Sequence, residues 1–105
     1  MSEVTGIRFE WDEAKNLANW RKHGISFEQA SKAFGDPLYI SVIERIEAGE
    51  ERWQTLGLLD GILLLTLIHT VFEESEAGRT VEVVRMISAR YAIPEERRRY
   101  ENENG

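Results

Sequence analysis

Residues 81–90, Val-Glu-Val-Val-Arg-Met-Ile-Ser-Ala-Arg, set two arginines into a run of β-branched and apolar side chains. A guanidinium keeps its charge at physiological pH and is costly to bury without a partner. Arg85 and Arg90 therefore require a carboxylate, a phosphate or the open end of a sheet. Phosphate is the chemically productive case, because the planar fork of arginine meets two phosphate oxygens at once. His69, near the end of the apolar run 62–72, has an ordinary pKa of about 6.5, suited to proton transfer at neutral pH. By parity it shares a strand face with Leu63, Leu65, Leu67 and Val71. A hydrogen-bonded core histidine is thus the simple reading and an acid–base group the sharper one. Lys22-His23 and Arg97-Arg98-Arg99 add cations; their default roles are a helix C-terminus complementing the macrodipole and a solvated helix face. Trp53, Tyr91 and Tyr100 offer rings on which single-stranded bases stack, although each alone reads as core or rim.

The elements that must position these groups follow from periodicity. Residues 7–11 alternate as a short half-buried strand. Asp12 is an N-cap for a first helix, with Ala14, Leu17 and Ala18 as its narrow apolar stripe and Lys15, Asn19 and Lys22 on another face; Gly24 suits its C′ position. Ser26 with Gln29 forms a capping-box pattern for a second helix, which Gly35-Asp36-Pro37 ends. Strands are expected at 38–43, 52–59, 62–72 and 81–91. The acidic segment 44–51, the Asp60-Gly61 turn and the polar segment 73–80 join them into an antiparallel meander, with 62–72 central. Pro94 opens a last helix, where Glu95 and Arg99 form an i,i+4 pair. The order is a short strand, two helices, a four-stranded meander and a C-terminal helix: an α+β domain occupying residues 1–105, with the helices on one sheet face.

Register decides which charged groups meet. Pairing 72 with 81 would set His69 beside residue 84, within one position of Arg85. Arg85 and Arg90 are an odd number apart, so on a regular strand they face opposite ways and take unequal roles. A bulge near Ser88-Ala89 would bring both round to one face.

Composition bounds the possibilities. At 105 residues, 42% hydrophobic and 30% charged, the chain reads as one soluble domain. The start Met-Ser-Glu-Val-Thr lacks a signal-peptide pattern, and the run 62–68 is far short of the ~20 residues that cross a bilayer. With no cysteine there is no disulfide framework, which fits a cytoplasmic location. With two histidines and no His-Glu-x-x-His, nothing points to a metal, and no phosphate-cradling glycine loop appears. The net charge of −6 is unevenly spread: residues 15–32 and 83–100 each sum to +3, and 44–82 to −6. If the two basic segments adjoin, an acidic protein still presents a basic patch.

The ordered series Phe9-Glu10-Trp11-Asp12-Glu13-Ala14-Lys15, Asn19-Trp20-Arg21-Lys22-His23-Gly24, Ser26-Phe27-Glu28-Gln29-Ala30 and Phe34-Gly35-Asp36-Pro37 resembles the BrnT toxin family. So do Glu50-Glu51-Arg52, His69-Thr70, Arg85-Met86-Ile87-Ser88-Ala89-Arg90 and Ile93-Pro94-Glu95-Glu96-Arg97-Arg98-Arg99-Tyr100. Segment 71–84 is longer and more acidic than the family's usual turn. The resemblance implies a RelE-like fold and a ribonuclease toxin of a type II toxin–antitoxin system. It implies as partner a BrnA-like antitoxin with a ribbon-helix-helix DNA-binding domain, and repression of their own operator DNA by the pair. RNA brings its own nucleophile, the 2′-OH, so the protein need only orient it, move protons and neutralise charge. On this reading Arg85 and Arg90 hold the scissile phosphate, His69 is the acid–base group and Glu51 a secondary base. Lys22 or His23 assists charge stabilisation, and Arg97, Arg98 and Tyr100 contact flanking RNA. No metal or cofactor is called for, and no membrane is involved. The alternative is a weak or inactive toxin-fold protein that acts mainly by binding its partner.

Overall fold

The computed structural model describes residues 4–105; the start Met-Ser-Glu, read above for a targeting signal, lies outside them. Five strands form one sheet in the order β1-β5-β4-β3-β2. They are β1 (Val4–Glu10), β2 (Ile40–Glu47), β3 (Glu50–Leu59), β4 (Leu63–Glu76) and β5 (Arg79–Tyr91). Strands β2 to β5 are the expected meander, with the apolar β4 in the middle, and β1 adds in parallel to β5. Three helices complete the α+β fold: α1 (Glu13–His23), the short α2 (Phe27–Ser31) running into a 3₁₀ turn, and α3 (Pro94–Asn104).

Local signals place the helix ends where the sequence put them. The Asp12 carboxylate accepts the Lys15 N–H at 3.1 Å, and Gly24 turns left-handed at φ 73°, sending its N–H to the Trp20 carbonyl. Ser26 and Gln29 make the reciprocal capping box. Gly57 is required by packing: a Cβ there would lie 2.6 Å from the Ala33 carbonyl oxygen, where the 3₁₀ turn presses on β3.

Three expectations are corrected. The acidic segments 44–51 and 73–80 are strand, closed by tight two-residue turns at Ala48-Gly49 and Ala77-Gly78 with positive φ at both positions. Their charges misled because they sit on the solvated ends of long hairpins, where Glu74 and Glu76 pair with Arg8 and Glu47 and Glu50 pair with Arg52. Second, the register of the β4–β5 hairpin is shifted, with Phe72 opposite Val83 and His69 opposite Met86. Third, the helices do not share one face. Ile25, Phe27, Ala30 and Ala33 pack on Leu65, Leu67, Val84 and Met86, whereas Tyr100 of α3 packs on Leu56 and Leu64 from the other side. Adjacent Leu64 and Leu65 point to opposite faces, so an all-apolar central strand needs cover on both.

Candidate functional site

The two arginines stand on one face. Ile68 pairs with Ser88 but His69 with Met86, so Ile87 is an extra residue on β5 and the alternation slips by one. Arg85 lies opposite Thr70 and Arg90 opposite Thr66, two β4 residues of the same parity. The opposite-face expectation fails, and the bulge, one residue earlier than the stretch considered, is the reason. Arg90 is committed to α3: its Nη1 and Nη2 donate to the two Glu96 carboxylate oxygens, both at 2.8 Å. Arg85 is exposed and donates through Nη1 to Glu10 of β1 at 3.1 Å; among the described residues its Nε and Nη2 have no carboxylate partner.

His69 lies on the other face. Its neighbours on β4 alternate, and its odd number sets it with Leu65 and Leu67 beneath α2 rather than with Thr66 and Thr70. Neither arginine shares its face, so the expected His69–arginine grouping is not formed. The imidazole is 2% exposed, and its ring centroid is 5.2 Å from that of Phe34. Its Nδ1 is 3.4 Å from the Thr70 carbonyl, which assigns the proton there and leaves Nε2 to accept from the Thr55 hydroxyl at 2.7 Å. Thr55 in turn stands 2.6 Å from Ser41 Oγ. Burial lowers the His69 pKa to about 4 against the opposing pull of the Thr70 carbonyl. The ring is therefore neutral at pH 7.

That shift has a sign. Between pH 6.5 and about 4 the unfolded chain takes up a proton at His69 that the folded chain refuses, so stability falls as pH drops through this window. The full loss is about 3 kcal/mol at about 1.4 kcal/mol per pKa unit. Thermal unfolding followed from pH 7 to pH 4 is expected to show this descent in the wild type and a flatter one in His69→Gln.

The other nominated residues divide. Lys22 and His23 end α1 and line a shallow cavity of about 230 Å³ together with Lys15, Asn19, Ile87 and Ser88, so they flank the β5 bulge. Glu51 is exposed at the start of β3, two residues from Trp53, on the His69 side of the sheet. Arg97 and Arg98 are exposed on α3. Tyr100 is corrected from an RNA-stacking residue to a core one. Its ring is 7% exposed, and its hydroxyl donates to Asp36 at 2.6 Å, where burial and that carboxylate push its pKa up to about 12.

Two features escaped the sequence reading. Asn19, expected on an outer helix face, is buried; its Oδ1 accepts the Ala89 N–H at 3.0 Å and its Nδ2 donates to the Ala89 and Ile25 carbonyls at 2.9 Å. β1 pairs with β5 only as far as Arg85, and this amide takes over from the missing strand at the bulged end. Helical spacing groups Asn19 with Lys15 and Lys22, away from the narrow apolar stripe, so the sequence carries no signal of such a role. The second is a cavity of about 210 Å³ over His69, into which Phe34, Tyr39, Trp53 and Glu82 converge from four separate segments.

Among the described residues no helix is long and apolar enough to cross a membrane, and no three His, Cys, Asp or Glu side chains are grouped to hold a metal ion. A family model described as "Ribonuclease toxin, BrnT, of type II toxin-antitoxin system" matches residues 11–96. The 1.1 Å crystal structure of the ribonuclease toxin BrnT from Brucella abortus is similar in fold, with a TM-score of 0.53 at 22% identity, covering 86% of this chain and 99% of that one. No curated protein matches the chain.

Proposed function

This chain belongs to the BrnT family of ribonuclease toxins of type II toxin–antitoxin systems, and from that premise we propose that it cleaves RNA at the β5 bulge without a metal ion. The observation that carries this reading is the exposed Arg85, with an open guanidinium edge, on the strand whose bulge Lys22 and His23 flank. Arg85 grips the scissile phosphate and Lys22 adds positive charge as the phosphorane forms. The 2′-OH attacks in line, a 2′,3′-cyclic phosphate forms, and the 5′ oxygen leaves after protonation. Of the two histidines, His23 is the better placed acid–base group, because it lies beside the bulge, whereas His69 is sealed, neutral and on the far face. Arg97 and Arg98 are placed on flanking phosphates, and Arg90 is a structural partner of Glu96. Glu51, on the His69 side, takes no part in this scheme. The neutralising partner is a BrnA-like ribbon-helix-helix antitoxin, through which the pair reaches its operator DNA in the cytoplasm.

Induction without antitoxin, with RNA ends mapped, tests this. Arg85→Ala and His23→Ala are each expected to lose about 100-fold or more in cleavage rate. His69→Gln should retain most of it, and chelator should leave the wild type unaffected. Loss in a folded His69→Gln with full activity in His23→Ala would return the acid–base role to His69. A folded wild type that leaves RNA and growth untouched sinks the ribonuclease assignment.

One observation favours the second reading, a catalytically weak protein that works in a repressor complex. Arg8, Arg45, Arg52, Arg85 and Arg90 all stand in ion pairs with carboxylates, in a chain of net charge −6. On that reading the purified pair retards its upstream DNA in a gel while the protein alone leaves RNA intact.

A further inference from the structure

We propose that the cavity over His69 receives an arginine side chain from a protein partner. Its walls are aromatic. Phe34 stands edge-on to both Tyr39 and His69, with centroids 5.5 and 5.2 Å apart, and Trp53 closes a further side. The charged residue in the lining is Glu82. Faces of Trp and Tyr attract a planar guanidinium, and a carboxylate beside them offers two oxygens to its fork. The imidazole that completes the cavity is neutral, so it does not oppose a cation.

Charge selects this occupant over a nucleobase. Glu82 lies directly opposite Glu73 on the β4–β5 ladder, an arrangement of like charges that weakens a sheet. On the other face of the same hairpin Glu74 and Glu76 both pair with Arg8. Among the described residues no cation answers Glu73 or Glu82, and neither makes a side-chain hydrogen bond. An incoming guanidinium supplies the missing charge. A nucleotide would stack equally well on the rings but would bring its phosphate toward two unanswered carboxylates. The cavity also opens on the sheet face opposite Arg85 and Arg90, so a partner seated here leaves those arginines uncovered. The proposal therefore stands apart from the ribonuclease assignment.

The test uses the full chain, isotopically labelled, titrated with N-acetyl-argininamide and separately with guanosine 5′-monophosphate, followed by NMR. The arginine probe is expected to shift the Trp53 indole N–H and the Val71 and Val84 methyl signals saturably. Glu82→Gln should weaken this binding about tenfold while leaving the rest of the spectrum unchanged, and Glu73→Gln should weaken it less. Added salt should weaken it too. No saturable shift, equal binding by folded Glu82→Gln, or shifts at these positions from the nucleotide but not the arginine probe would each overturn the proposal.

Discussion

Glu96→Ala is expected to cost about 3 kcal/mol of folding stability, and more than ~10 °C in Tm for a domain of this size. Glu96 is 8% exposed and gathers several partners: both Arg90 guanidinium nitrogens at 2.8 Å, the Thr66 hydroxyl at 2.8 Å and the Ile93 N–H at 3.0 Å. Burial by itself would raise the carboxyl pKa, but these donors together outweigh it and hold the group at about 2. Removing it frees Arg90, opens the first turn of α3 and leaves Thr66 without its acceptor. Arg90 keeps a 35% exposed side chain and can turn toward water, which sets the loss at the lower end for a broken buried pair. The pH dependence has a definite sign. A depressed carboxyl pKa stabilises fully above about 4.5 and is lost as pH falls toward about 2. The gap between wild type and Glu96→Gln should therefore be widest near neutral pH and close in strong acid. In a cycle with Arg90→Ala the two losses should fall short of adding. Simple additivity in denaturant unfolding would show that the pair carries no coupling.

Asn19→Ala is expected to cost a similar amount, about 3 kcal/mol, because it leaves the Ala89 N–H and two carbonyls unmet in a buried place, each worth roughly 1–3 kcal/mol. The wild-type amide is 7% exposed and makes three hydrogen bonds to backbone. Loss should be local as well as global. Amide exchange at Ala89 should accelerate more than at Val83, which β1 covers. Asn19→Asp is the harsher change, since it sets a carboxylate against two carbonyl oxygens. That carboxylate would resist ionisation, so the variant should recover stability as the pH is lowered. If both variants unfold like the wild type, the side chain is not holding the end of β5.

How far the sequence could be read depended on the range of the interaction concerned. Asp12, Gly24, Ser26 with Gln29, Asp60-Gly61 and Pro94 act within a few residues of themselves, and their helix ends and turn stand as read. The apolar run 62–72 marked a central strand because it is apolar at both odd and even positions, as a strand covered on both faces of its sheet requires. The acidic hairpin ends were misread because their polarity reports solvent, which strand ends and loops share. Arg85 and Arg90 were recognised as charges in need of partners, but the bulged residue between them, Ile87, is an ordinary strand former that gives no sign of the slip. Glu10 and Glu96 lie 75 positions before Arg85 and six after Arg90, and only the folded chain selects them.

By itself, then, the sequence determined the α+β class, the order of elements, the meander and the family, because these rest on local propensity, on periodic burial and on an ordered series of short motifs. It also singled out His69 and the two arginines as chemically unusual. Only the tertiary structure decided which of them meet. A one-residue bulge turned Arg85 and Arg90 to a common face and left His69 on the other, under α2, with Thr55 and Phe34 for company. The side chains on a strand alternate with a period of two, so a single inserted residue reassigns every group beyond it. That register, together with the burial of His69, is the ground on which we propose the chemistry at the bulged end of β5.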